Sequence, residues 1–198
     1  MVKPSTSAAY ARAQRGATLI EVLVTLLIVA FGLFGLVGLQ ARLQSSEMES
    51  YQRSQALILL NDMASRIAIN RRMASSYVTT SALGTDANCP TSTGTRLQVD
   101  VKEWCNALQG AAETSGGNNL GAMIGGRGCV QDMGNNEYLI TVAWQGLVPT
   151  AAPPDGVSCG KDMYDAAAAA SPSAPAPACS SDKCRRVVTT LVRIGSLS

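Results

Sequence analysis

One stretch constrains this chain more than any other. From Ala17 to Leu39 there are 23 residues with a single charge, Glu21. About 20 apolar residues suffice for a helix to cross a bilayer. Lys3, Arg12 and Arg15 precede the run, while Glu47 and Glu49 follow soon after Arg42. The positive-inside tendency therefore predicts residues 1–16 in the cytoplasm and the rest of the chain outside. An ordinary secretory signal fits less well, because its apolar region is typically about 7–15 residues and ends in a small-x-small cleavage site. A plain single-pass anchor explains the length but not Glu21. A charge within a span costs roughly 2.5–3.5 kcal/mol on insertion scales, so the carboxylate calls for a partner.

The spacing suggests one. A cut between Gly16 and Ala17 places a new amine four residues before Glu21. Residues i and i+4 share a helix face, and a negative charge near a helix N-terminus is favourable. The carboxylate can then meet a positive amine, on its own chain or on a neighbour's. The basic leader, Gly16, a small first residue and the run T-L-I-E-V-L-V resemble the class III signal of type IV prepilins and pseudopilins. The resemblance implies cleavage after Gly16 by a prepilin peptidase and N-methylation of Ala17, which stands where phenylalanine or methionine is usual. It also implies that Glu21 pairs with the N-terminus of a neighbouring subunit during assembly.

The helix should continue beyond the span, since residues 41–75 contain neither proline nor glycine. Leu57, Leu60, Ala64 and Ile67 recur at helical intervals with Met63 beside them, while Arg53, Asp62, Arg66 and Arg71 are expected off that stripe. The stripe reads most simply as the face that packs on a head domain. From Ala17 to Ser75 a continuous helix is roughly 88 Å long, more than one domain can cover. Its first half is expected to project as a stalk. Gly32, Gly35 and Gly38 punctuate the span. They suit either close packing between helices or a stretch that melts during assembly.

Six cysteines, Cys89, Cys105, Cys129, Cys159, Cys179 and Cys184, all follow the apolar run. An even number confined there points to disulfides in an oxidising compartment. Reduced structural thiols are the plainer alternative. Zinc is disfavoured, because no C-x-x-C pair and no histidine is present. Six cysteines allow about 15 pairings. Those expected from the layout are Cys89 with Cys105, Cys159 with Cys184 and Cys129 with Cys179; Cys159 with Cys179 stays open. Residues 97–111 read as a short helix. The glycine cluster at 121–128 lacks the Gly-Lys-Ser/Thr of a phosphate loop and reads as turns. Asp132 to Glu137 does not match a calcium loop, and a hairpin turn around Gly134-Asn135-Asn136 is expected instead. Tyr138–Val148 and Arg186–Ile194 read as strands, with residues 129–131 pairing to the first. The Ala/Pro/Ser-rich segment 165–180 reads as a surface loop.

The expected fold class is thus α+β and pilin-like: a long N-terminal α-helix, transmembrane in its first half, packed on a small antiparallel sheet in a disulfide-bonded head. The expected divisions are a leader (1–16), a transmembrane and assembly helix (17–40), a helical spine (41–75), a loop region with a short helix (76–128) and the sheet (129–198). Asn61–Arg71, Val142–Gly146 and Cys184–Thr190 further resemble the PilV branch of minor pilins, the type IV pilus modification proteins. That branch implies a non-enzymatic subunit without a cofactor, active in pilus assembly and in pilus-dependent motility or adhesion. Its partners would be the prepilin peptidase, the major pilin, other minor pilins, the inner-membrane assembly platform and a tip adhesin. It would reside in the inner membrane with a periplasmic head, and then in the pilus.

Other readings are a type II secretion pseudopilin and a membrane-anchored periplasmic enzyme. The latter lacks any recognisable constellation of catalytic residues. A net charge of +2 with scattered basic residues disfavours nucleic acid as a partner. Removing Lys3, Arg12 and Arg15 with the leader leaves 13 basic against 14 acidic side chains.

Overall fold

The computed structural model describes residues 18–111, 114–115, 118–119, 123–165 and 179–195. The chain divides into two units, Met1–Gln44 and Ser45–Ser198. One helix, α1 (Leu19–Ile69), contributes to both.

In the first unit every described side chain is exposed. A Cβ added at Gly32, Gly35 or Gly38 would meet nothing within 4 Å. No close neighbour among the described residues therefore requires glycine at these positions, and α1 runs unbroken through them.

In the second unit α1 continues and buries Ala56, Leu60, Met63 and Ile67. The expected stripe is correct at Leu60, Met63 and Ile67, with Ala64 packed at its edge. It is wrong at Leu57, which is 40% exposed. Its neighbour Ala56 faces the core instead, in phase with Leu60 and Met63. The α-helix ends at Ile69, and a 3-10 segment, Arg71–Tyr77, replaces the last turns expected of it.

After the 3-10 segment come β1 (Leu83–Gly84) and α2 (Arg96–Leu108). Thr95 and Gln98 start α2 with a reciprocal capping box, the Thr95 hydroxyl accepting from the Gln98 N–H and the Gln98 amide oxygen from the Thr95 N–H. The short strands β2 (Thr114–Ser115) and β3 (Asn118–Asn119) pair with each other. The main strands are β4 (Arg127–Gly134), β5 (Glu137–Gln145) and β6 (Arg185–Arg193). They form an antiparallel sheet of order β1-β4-β5-β6. Asn135 and Asn136, at φ 54° and 60°, make the hairpin turn between β4 and β5.

The side chains alternate across this sheet. Val130, Tyr138, Ile140, Val142 and Trp144 join the core with the α1 stripe. Gly128 belongs to β4 and not to a turn, which corrects the reading of the glycine cluster. A Cβ there would stand 2.3 Å from the Trp104 ring, so glycine is what admits α2 to the sheet. The Trp104 indole N–H then donates to the Leu59 carbonyl at 2.9 Å, tying α2 to α1.

Three disulfides close the head. Cys89–Cys105 is as expected, but the other bridges are Cys129–Cys159 and Cys179–Cys184. Strand alternation explains the first correction. Val130 points into the core, so Cys129 points to the opposite face. The segment carrying Cys159 folds back over that face, where Thr141 and Ala143 are fully buried. Cys184 is drawn away from Cys159 by a turn at 181–184, in which Ser181 and Asp182 take φ 54° and 61°. That turn brings it within 5.3 Å, Cα to Cα, of Cys179. Most of the Ala/Pro-rich segment, residues 166–178, lies outside the described residues.

Candidate functional site

Gly16 and Ala17 lie outside the described residues. Glu21 stands in the first turn of α1, where the Thr18 carbonyl accepts hydrogen bonds from the N–H groups of Glu21 and Val22 at 3.0 and 3.2 Å. Its side chain is exposed. Around and beyond it lies an uncovered apolar surface, from Leu19 and Ile20 through Phe31 and Phe34 to Leu43. A soluble core helix would bury such a face, whereas a helix destined for lipid or for other apolar helices leaves it bare. The candidate site is therefore this exposed apolar surface, on a helix long and apolar enough to cross a membrane, and among the described residues its one charged group near the start is a carboxylate.

The head holds the second half of α1 by charged pins that periodicity did not reveal. Arg66, expected off the packing stripe, turns inward. Its guanidinium donates to Asp62 at 2.9 Å, to Asp100 at 2.9 Å and to Glu103 at 2.7 Å. Asp100 is 1% exposed and also accepts from the Tyr77 hydroxyl at 2.6 Å and pairs with Arg96 at 2.9 Å. One buried carboxylate thus links α1, the 3-10 segment and α2. Burial pushes the Tyr77 hydroxyl up to about 12, and its bond to Asp100 acts in the same direction. Burial works against the Arg66 charge, but the hydrogen bonds to the three carboxylates outweigh it and hold the guanidinium above its ordinary value.

Two arginines fasten the far face of the sheet. Arg185 pairs with Asp182 at 2.9 Å and donates to the carbonyls of Val157 and Cys159 at 2.7 and 3.0 Å. Arg127 pairs with Asp86, with its guanidinium 4.9 Å from the Tyr164 ring centroid. Burial raises the Tyr164 hydroxyl, although Arg127 opposes the shift. Both arginines begin strands as outward-facing residues. Only the knowledge that a loop covers that face would mark them as buried.

Among the described residues, no three His, Cys, Asp or Glu side chains are placed to hold a metal. The acidic groups of the head described above are occupied by arginines and a tyrosine, and all six cysteines are in disulfides.

Comparison with known proteins agrees with this division of labour. Residues 11–37 match the family model of the prokaryotic N-terminal methylation motif. Residues 38–114 match the family model described as type IV pilin Tt1218. No curated protein and no solved structure gives a significant match. The chain thus carries a prepilin-type N-terminal motif, followed by a segment similar to a type IV pilin. That segment reaches from the helix through α2.

Proposed function

We propose that this chain is a minor pilin of PilV type, a structural and priming subunit of a type IV pilus. The observation that carries the reading is the methylation motif at residues 11–37, which overlaps the start of α1, where every described side chain up to Gln44 is exposed. In this reading the prepilin peptidase cuts between Gly16 and Ala17 and the new amine of Ala17 is methylated. The helix waits in the inner membrane with the head in the periplasm. It is then drawn into the filament among other apolar helices, with Glu21 against a neighbour's amine. The three disulfides suit an oxidising periplasm. The expected partners are the major pilin, other minor pilins, the assembly platform and a tip adhesin. The resemblance of Asn61–Arg71, Val142–Gly146 and Cys184–Thr190 to PilV, together with the similarity of residues 38–114 to a type IV pilin, supports a pilus over a secretion pseudopilus.

Gly16→Arg tests the entry step. A large charged side chain should not fit the peptidase subsite that takes glycine, so the leader should remain on the membrane protein. The check is the N-terminal sequence of the membrane-bound chain. A terminus at Ala17 in the variant would contradict the assigned cleavage site. The machine itself is identified by deleting the assembly ATPase of the pilus or of the secretion system in turn. Loss of the chain from sheared filaments only in the pilus deletion is expected.

A further inference from the structure

A cleft at the base of the head carries chemistry that the fold leaves unused. Trp144 in β5 and Arg186 in β6 are directly paired and face α1. Arg186 is fully engaged, donating to Glu49 at 2.6 Å, to the Val148 carbonyl at 2.7 Å and to the Lys183 carbonyl at 3.1 Å. Trp144 is not. It is 3% exposed, and its indole N–H is buried without a hydrogen-bond partner among the described residues. A buried indole N–H normally finds an acceptor, as that of Trp104 does. Trp144 lines a cavity of about 320 Å³ together with Glu49, Arg53, Arg186 and Val187. Arg53, one turn along α1 from Glu49, is exposed and has no ion-pair partner among the described residues.

A second cavity, of about 480 Å³, shares Glu49 and Arg53. Its apolar wall is Leu147 and Val148, which are 40% and 49% exposed. Because Arg186 neutralises Glu49, the two cavities together offer a free cation, an unused donor and an apolar ledge. The complementary group is a carboxylate next to an apolar side chain. An acceptor can satisfy the indole, a negative charge can pair with Arg53, and a neighbouring aliphatic group can cover Leu147 and Val148.

We propose that this cleft receives an Asp or Glu side chain, flanked by an apolar residue, from a neighbouring pilin-type subunit. The inference rests on the functional reading above. The exposed apolar ledge favours a protein segment over a small soluble acid, which would leave it uncovered. Such a contact would fix how a neighbour seats against the head, separately from the Glu21 contact in the membrane.

The test uses the full chain, expressed with its own assembly machinery, carrying Leu147→p-benzoylphenylalanine as a photo-cross-linker. The cross-linked peptide is mapped by mass spectrometry. It should come from a pilin-type subunit and contain an acidic residue beside the attachment point. Arg53→Glu should lower the yield by on the order of tenfold or more. Trp144→Phe, which keeps the ring and removes the N–H, should lower it less. Replacing the mapped acidic residue by arginine should restore the yield with Arg53→Glu. Cross-links to lipid alone, to a peptide without an acidic residue, or unchanged by Arg53→Glu would overturn the proposal. Filament entry separates the two readings. If the wild-type chain never appears in sheared filaments, the functional reading fails and takes this inference with it. If it appears there and Arg53→Glu changes nothing, only this inference fails.

Discussion

Glu21→Ala should give a chain that inserts, is processed and folds its head, yet almost disappears from filaments. Glu21 belongs to the Met1–Gln44 unit, whereas the core and all three disulfides belong to Ser45–Ser198. No hydrogen bond or ion pair of its side chain is present among the described residues, so the head loses nothing with it. Insertion should become easier by roughly 2.5–3.5 kcal/mol on insertion scales, since a charge is removed from the span. The loss falls on the attraction to a neighbour's N-terminal amine. That attraction is strong in a low dielectric and is reduced by the desolvation of both groups. The checks are membrane abundance, N-terminal sequence and recovery in sheared filaments. Recovery should fall about tenfold or more, which corresponds to a net pair worth of at least about 1.4 kcal/mol. Equal recovery of variant and wild type would show the carboxylate to be dispensable.

The largest effect on the head itself is expected from Asp100→Ala. This carboxylate is almost completely buried and serves Tyr77, Arg66 and Arg96 at once. Removing it leaves the buried Tyr77 hydroxyl, which still accepts from the Asn70 amide, without an acceptor for its own proton, and leaves the Arg66 charge with fewer acceptors. Breaking one side of a buried charged network costs about 3–5 kcal/mol. Arg66 keeps Asp62 and Glu103, so the lower end is expected, about 3 kcal/mol. For a domain of this size that corresponds to a fall in Tm of roughly 6–12 °C. Asp100→Asn should cost less, because its carbonyl still accepts from Tyr77. Thermal unfolding of the full chain in detergent with the disulfides intact reads both. A loss below about 1 kcal/mol for the alanine variant would mean that the network does not hold α2 to α1.

These two residues also mark where the sequence was readable and where it was not. Glu21 stands out because a carboxylate in an apolar run breaks a strong pattern, and one-dimensional spacing relates it to Gly16 and Ala17. Strands β5 and β6, the Asn135-Asn136 turn and α2 were legible for the same reason, since alternation, turn chemistry and periodicity are local. Asp100 gave no such signal. It sits in a helix among Lys102 and Glu103, and only the approach of α1 and Tyr77 from elsewhere in the chain buries it. The inward turn of Arg66 has the same origin.

The disulfides divide along the same line. Cys89 and Cys105 were paired correctly because the loop returns to its neighbouring helix. Cys129 and Cys159 required knowing which face of β4 the first occupies and which loop covers it. Cys184 required the two left-handed residues of its turn, which the Ser181-Asp182 sequence does not announce. Gly128 was misread because glycine in a glycine-rich stretch suggests a turn, whereas here it makes room for Trp104.

The central claim, a processed and assembled pilin-type subunit, is tested most directly by the intact mass of the protein recovered from its native membrane. The account predicts a chain beginning at Ala17, carrying one added methyl group and lacking the six thiol hydrogens of three disulfides. A chain that retains residues 1–16, or one that begins beyond Leu39, would contradict it.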